Sequence, residues 1–141
     1  MILDTTYLLP LAQIDIDTDL LSAVAGKRVD LKLEDITISL ISVFELQAKA
    51  AKLNIPVESV VKATTAILNA FRIEPFHRTE IIKASHELRK TIPDYLDCVV
   101  VATAIVSRGD LVTEDSLILA RTGSLEKQYG IKVVSFKDIM K

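Results

Sequence analysis

At 141 residues, with 17 basic against 19 acidic side chains and a net charge of −2, the chain has the size of one domain and no overall basic surplus with which to hold a polyanion. Half of its residues are hydrophobic, yet no stretch approaches the ~20 apolar residues of a membrane span, so the apolar content is expected in a packed core. A single cysteine, Cys98, excludes an internal disulfide and a Cys-rich zinc site and is expected to be a small core residue.

The opening apolar run is interrupted at Asp4 with no basic residue ahead of it, unlike a secretory leader, and a cytoplasmic location is the expectation. Residues 1–3 read as a minimal strand, followed by a helix over 5–14 and a second near 17–25. Residues 36–40 are β-rich. From Ser42 the period changes: Val43, Leu46, Ala50 and Leu53 recur at helical spacing. Pro56 and Glu58 open another helix reaching Ala70, as proline tolerates a first turn. Residues 72–76 suit a short strand, and 80–90 a helix that stops before Pro93. The stretch DCVVVATAIVSRG, 97–109, is apolar on nearly every face, the signature of a helix buried on most sides. Residues 111–113 and 131–134 are β-branched runs too short for helices and suit inner strands of a parallel sheet, with a short helix over 116–121 between them. This alternation predicts an α/β layered domain with a mostly parallel sheet and right-handed crossovers. With 4 Gly, 4 Pro and no repeat or low-complexity segment, no linker divides residues 1–141.

That architecture gives several acids a common address, because ligands of open parallel sheets sit beyond the carboxyl ends of the strands. Asp4 ends the first strand, Glu45 belongs to the start of the helix after the second, and Asp115 lies two residues past Thr113 at the end of a later strand. Asp97 stands near the start of the buried helix, where a lone ionised carboxylate costs several kcal/mol unless something compensates it. Each acid also has a plainer role. Asp4 and Asp115 suit helix N-caps, a stabilisation of about 1 kcal/mol each. Ser42-Val43-Phe44-Glu45 has the form of a capping box, and Asp97 suits the positive end of a helix dipole. Spacing alone leaves both interpretations open.

Four segments carry a family resemblance: MILDTTYLL at the N-terminus, SLISVFELQAKA from Ser39, LDCVVVATAIVSRGDLVTEDSLI from Leu96, and the closing GIKVVSF. Collinear over the whole chain, they resemble the PIN-domain ribonucleases, and the length is most similar to the toxin subunits of VapBC toxin–antitoxin pairs. The resemblance implies a three-layer α/β/α fold, an acidic metal site built from Asp4, Glu45, Asp97 and Asp115, and hydroxyls beside it from Thr6 and Thr113. It further implies an endoribonuclease leaving 5′-phosphate and 3′-hydroxyl ends, an antitoxin that inserts an apolar helix and a basic side chain, and a homodimer or higher homo-oligomer. Asp97 is preferred to Asp94 because it directly precedes the apolar run. Asp115 is preferred to Glu114 because the family's fourth acid follows the Glu position, and Glu114 is expected to face solvent.

Oxygen ligands suit such chemistry. Phosphodiester hydrolysis needs a nucleophilic water and a charge sink, which one carboxylate-bound divalent ion, or two about 4 Å apart, supply. Mg²⁺ or Mn²⁺ fits an all-oxygen site, and without a cation neighbouring carboxylates raise at least one pKa. Basic residues are then expected to rim the pocket: Lys49 and Lys52 follow Glu45 by four and seven positions on one helical face, and Arg108 and Arg121 are candidates to flank the mouth. His77 and His86 lack metal-motif spacing and suit surface or structural roles. Competing readings are a catalytically silent PIN-like module that binds RNA or protein, and a phosphoacceptor receiver domain, although KVVSFKDI lacks the Lys-Pro pair expected after its last strand. A haloacid-dehalogenase-type phosphatase is weaker, since it wants Asp-x-Asp where this chain has Asp4-Thr5-Thr6.

Overall fold

The computed structural model describes residues 1–140. Five strands, β1 (Ile2–Leu3), β2 (Thr37–Ser39), β3 (Arg72–Glu74), β4 (Leu111–Val112) and β5 (Val133–Val134), form one sheet in the order β3-β2-β1-β4-β5. Every pairing is parallel, with Ile2 beside both Thr37 and Leu111 and with Leu3 beside Val112. The sheet is thus wholly parallel, and its order differs from the 2-1-3-4-5 arrangement of receiver domains.

Helices cover both faces: α1 (Leu20–Ala25), α2 (Leu40–Lys52) and α3 (Val57–Ala70), then α4 (Thr79–Leu88), α5 (Tyr95–Ser107), α6 (Ser116–Leu119), α7 (Thr122–Tyr129) and α8 (Phe136–Ile139). Side chains of a strand alternate between faces, and two apolar clusters result. Ile2, Leu111 and Val133 join α4, α5 and Leu125 of α7. Leu3, Val112 and Ile38 join α1, α2, α3 and the 3₁₀ helix Thr5–Ala12 on the other side. Each buried Leu, Ile or Val contributes about 1.5–3 kcal/mol, so a one-residue slip of β1 would exchange its two cores. The result is the α/β/α sandwich expected.

The long apolar helix is buried as predicted. Seven consecutive residues of α5, from Cys98 to Ala104, are buried. Its polar members are satisfied within the helix region: the Thr103 hydroxyl donates to the Val99 carbonyl at 2.7 Å and the Cys98 thiol to the Ile92 carbonyl at 3.3 Å. No helix among the described residues is long and apolar enough to cross a membrane.

Three local expectations are corrected. Helix α2 begins at Leu40, because Ser39 caps it by accepting from the Ile41 N–H at 3.3 Å. Ser42 and Glu45 therefore form no capping box; Ser42 lies inside the helix with its hydroxyl buried and unpartnered, and Glu45 stands more than a turn in. The segment after β1 is a 3₁₀ helix ending at Ala12, where Pro10 supplies no amide donor and Gln13 turns left-handed (φ 65°). Helices α7 and α8 were not anticipated: α7 is polar apart from buried Leu125, and α8 is a single turn whose one signal was a capping box of Ser135 and Asp138.

Candidate functional site

The carboxyl edge of the sheet carries a cavity of about 170 Å³. Asp4, Glu45, Asp97 and Asp115 all line it, so residues from both halves of the chain meet there. Thr5, Thr6, Lys49 and Glu114 complete the lining. Of the two sequence-predicted hydroxyl residues, Thr6 thus faces the cavity, and Thr113 lies buried beneath it.

Two of the acids are delivered as helix caps and two from within helices. Asp4 caps the 3₁₀ helix, accepting from the Thr5 N–H at 2.7 Å through Oδ1, while its Oδ2 accepts from the Thr113 hydroxyl at 2.7 Å. Thr113 Oγ1 also accepts from the Asp115 N–H at 3.0 Å, so one buried hydroxyl ties the loop after β1 to the loop after β4. Asp115 caps α6: Oδ1 receives the N–H groups of Leu117 and Ile118 at 2.9 and 3.0 Å. Capping and cavity-facing coexist in both residues. Glu45 and Lys49, at i and i+4 on α2, share the face beside the cavity. Asp97 occupies the first turn of α5, whereas Asp94 is the exposed N-cap, accepting from the Leu96 N–H at 2.8 Å.

Electrostatics single out two of these groups. Burial and then the surrounding carboxylates push Asp97 up to about 7 from 3.8. Desolvation raises Asp4 as well, against the hydrogen bonds from Thr113 and Thr5, with Glu45 and Asp115 adding repulsion. Both shifts favour the protonated form. The chemistry of the donor set fits a hard divalent cation: five carboxylates and one ammonium line the space. No three His, Cys, Asp or Glu side chains among the described residues already stand at the spacing of a closed ligand group. A further orphan, the 1% exposed Thr5 hydroxyl, has no hydrogen-bond partner among the described residues and belongs to the same lining.

The PIN domain family model matches residues 1–125 of this sequence. The chain belongs to the PIN-domain family. PIN domains are typically nucleases and generally use divalent metal ions. Solved structures resemble this PIN domain along most of its length. A toxin–antitoxin complex from Klebsiella pneumoniae is 23% identical with a TM-score of 0.62, over 82% of this chain and 86% of that one. FitAcB from Neisseria gonorrhoeae is 22% identical with a TM-score of 0.67, over 96% of this chain and 97% of that one. FitAB bound to an IR36 DNA fragment is 20% identical with a TM-score of 0.66, over 96% and 94%. No curated protein matches by sequence.

The predicted basic rim of this PIN domain divides. Lys49 lines the cavity; Lys52 is exposed in the last turn of the same helix and does not. Arg108 is not at the mouth. It is the C-cap of α5, the far end of the helix that Asp97 begins, and 13 residues of helix span about 20 Å. Arg121 lines a separate pocket with Glu87, Leu88 and Tyr129. His77 is exposed, and His86 stands edge-on to Tyr95 with ring centroids 5.5 Å apart, a structural contact.

Glu114 overturns its expectation. It is half-buried and lines the cavity, and its Oε2 accepts from the Tyr7 hydroxyl and, at 2.8 Å, from the Phe136 N–H. Burial and the Glu114 carboxylate raise the Tyr7 pKa, which keeps that hydroxyl a donor. Tyr7 was the available signal, a tyrosine in an otherwise aliphatic segment beside Asp4 whose buried hydroxyl requires a polar partner.

Proposed function

We propose that the chain is a metal-dependent endoribonuclease and the toxin of a toxin–antitoxin pair. The observation that carries the reading is the meeting of Asp4, Glu45, Asp97 and Asp115 around one cavity with Asp97 displaced to about 7. A carboxylate surplus of this kind opposes folding, and a cation is the simplest agent that turns it to advantage. Asp4, Glu45, Asp97 and Asp115 would hold Mg²⁺ or Mn²⁺. When bound, the ion supplies a polarised water and a sink for the charge that develops on phosphate.

The chain's own groups account for the remaining work. Thr113 holds Asp4 and the Asp115 backbone at once, fixing two of the carboxylates relative to each other. Asp115 Oδ1 is occupied by two N–H groups, and its other oxygen is left for the cavity. Lys49 is the cation that faces the same space and suits an approaching RNA phosphate. Thr6 offers a hydroxyl on the rim for a water or a ribose. Arg108 and Arg121 take no part in this contact, given their placement. The toxin assignment and an antitoxin partner are supported by the likeness to a toxin–antitoxin complex; the homodimer or higher homo-oligomer is proposed from the family resemblance alone.

The test is cleavage of a mixed RNA pool with Mg²⁺ or Mn²⁺. The native chain is expected to cleave, chelation to abolish cleavage, and Asp4→Asn and Asp97→Asn to reduce it by at least about 100-fold each. Cleavage that survives both substitutions and chelation overturns the reading.

A further inference from the structure

Glu114 adjoins Asp115, yet its carboxylate is turned to two donors from other parts of the chain. One is the hydroxyl of Tyr7, a residue 0% exposed in the core. The other is the N–H of Phe136, which follows β5 and lies beyond the 1–125 region that matches the family. The contacts close a circuit around the cavity floor. Asp4 Oδ2 accepts from the Thr113 hydroxyl; the chain leads from Thr113 to Glu114; Glu114 accepts from the Tyr7 hydroxyl; and the Tyr7 N–H returns to the Asp4 carbonyl at 3.2 Å. A second tie joins the same loop to the C-terminal segment, where the Thr113 N–H donates to the Val134 carbonyl at 3.0 Å.

We propose that Glu114 is a positioning residue of the acidic centre, a latch that fixes the Thr113–Asp115 loop against Tyr7 and Phe136, the first residue of α8, so that Asp4 and Asp115 keep a constant separation. This deepens the metal reading and rests on it. Neighbouring carboxylates repel, and a Glu114 carboxylate that accepts two N–H or O–H bonds adds a further restraint on the loop that bears Asp115. The latch acts through its acceptor oxygen. An amide at this position keeps that oxygen, while a methyl group removes it and leaves the Tyr7 hydroxyl and the Phe136 N–H unpaired.

The experiment is calorimetric titration of Mn²⁺ into the native chain, Glu114→Gln, Glu114→Ala and Tyr7→Phe, with the Mn²⁺ midpoint for RNA cleavage measured alongside. Supporting residues around a metal site typically govern affinity by about 10–100-fold, so Glu114→Ala is expected to bind Mn²⁺ at least about tenfold more weakly, Tyr7→Phe about threefold more weakly, and Glu114→Gln within about twofold of native. The cleavage midpoint should move in the same proportion, with the rate recovering at saturating Mn²⁺. Native-like binding by Glu114→Ala or by Tyr7→Phe overturns the latch. Binding by Glu114→Gln as weak as that of Glu114→Ala overturns it too, because charge rather than an acceptor would then be the requirement. If Glu114→Ala fails to fold, judged by circular dichroism, the Gln and Phe variants decide by the same criteria. A native chain that takes up no more Mn²⁺ than Asp4→Asn removes the metal reading itself, a failure distinct from the others because it appears before any residue-114 variant is compared.

Discussion

The two ends of the sheet carry similar numbers of charges and treat them in opposite ways. At the amino end, a polar cleft of about 440 Å³ is lined by Glu34, Asp35 and Glu74 together with Arg72, Arg108 and the start of the chain. Acids and bases there nearly balance, the Met1 ammonium donates to the Asp35 carbonyl at 2.8 Å, and Glu74 pairs with Arg78 at 3.2 Å. At the carboxyl end, five carboxylates face a smaller cavity, and among the described residues Lys49 is the one base in its lining. Helix N-termini at α5 and α6 soften that surplus by about 0.3–1 kcal/mol each, too little to neutralise it. A fold needs only the balanced kind of end. The unbalanced one is the signature of a site shaped for something besides its own stability.

The largest expected effect comes from making the same change at both ends. Glu45→Gln alters a carboxylate of the unbalanced cavity and is expected to lower RNA cleavage by at least about 100-fold. Glu74→Gln removes one exposed ion pair, worth under about 1 kcal/mol, and is expected to leave cleavage within about twofold of native. Equal effects from the two in a metal-supplemented RNA assay would erase the functional distinction between the ends.

A smaller effect follows from Asp97, read as stability against pH in chelator. Its folded value of about 7 lies above the unfolded 3.8, so its contribution to stability is fully present below pH 3.8 and is lost as pH rises to about 7. Above that, the native chain carries the strain of an ionised carboxylate that Asp97→Asn does not. The difference corresponds to about 4 kcal/mol at most, and solvent at this partly exposed group screens it to about 2 kcal/mol. Thermal melts are expected to show Asp97→Asn more stable than native at pH 8 and equal to it near pH 4, with Mg²⁺ raising the native Tm alone. A native chain that is the more stable at pH 8 without metal would contradict the uncompensated charge.

Much of this contrast was legible before any coordinates. Strand runs such as Leu111-Val112 and the apolar continuity of 97–109 dictate buried parallel strands and a sequestered helix, and that architecture alone sends the acids after β1 and β4 to one edge. What could not be read was which face a side chain takes when two local rules compete. Ser42 and Glu45 satisfied the spacing of a capping box, but Ser39 sits at the strand's end and caps three residues earlier, which turns Glu45 inward. Glu114 has no periodicity to betray it; its partners, Tyr7 and Phe136, are 107 and 22 residues away. Arg108 misled for the opposite reason. A helix reverses the address of its two ends, so a base 11 residues past Asp97 arrives at the other end of the sheet.

Arg108 supplies the smallest effect and the cleanest check on the distinction. It adopts φ 54° as the C-cap of α5, a left-handed conformation that costs an L-residue about 1–2 kcal/mol and glycine almost nothing. Against that relief, glycine adds about 0.5–1 kcal/mol of unfolded-chain entropy. Arg108→Gly is therefore expected to raise stability by less than about 1 kcal/mol in denaturant melts, while RNA cleavage and its salt dependence stay as in the native chain. If the amino end took part in holding RNA, the same substitution would remove a phosphate contact and shallow the salt dependence by about one unit in log–log slope. Stability up and cleavage untouched would locate nucleic-acid binding at the carboxyl edge alone; cleavage down would mean that an RNA strand runs across the whole length of α5.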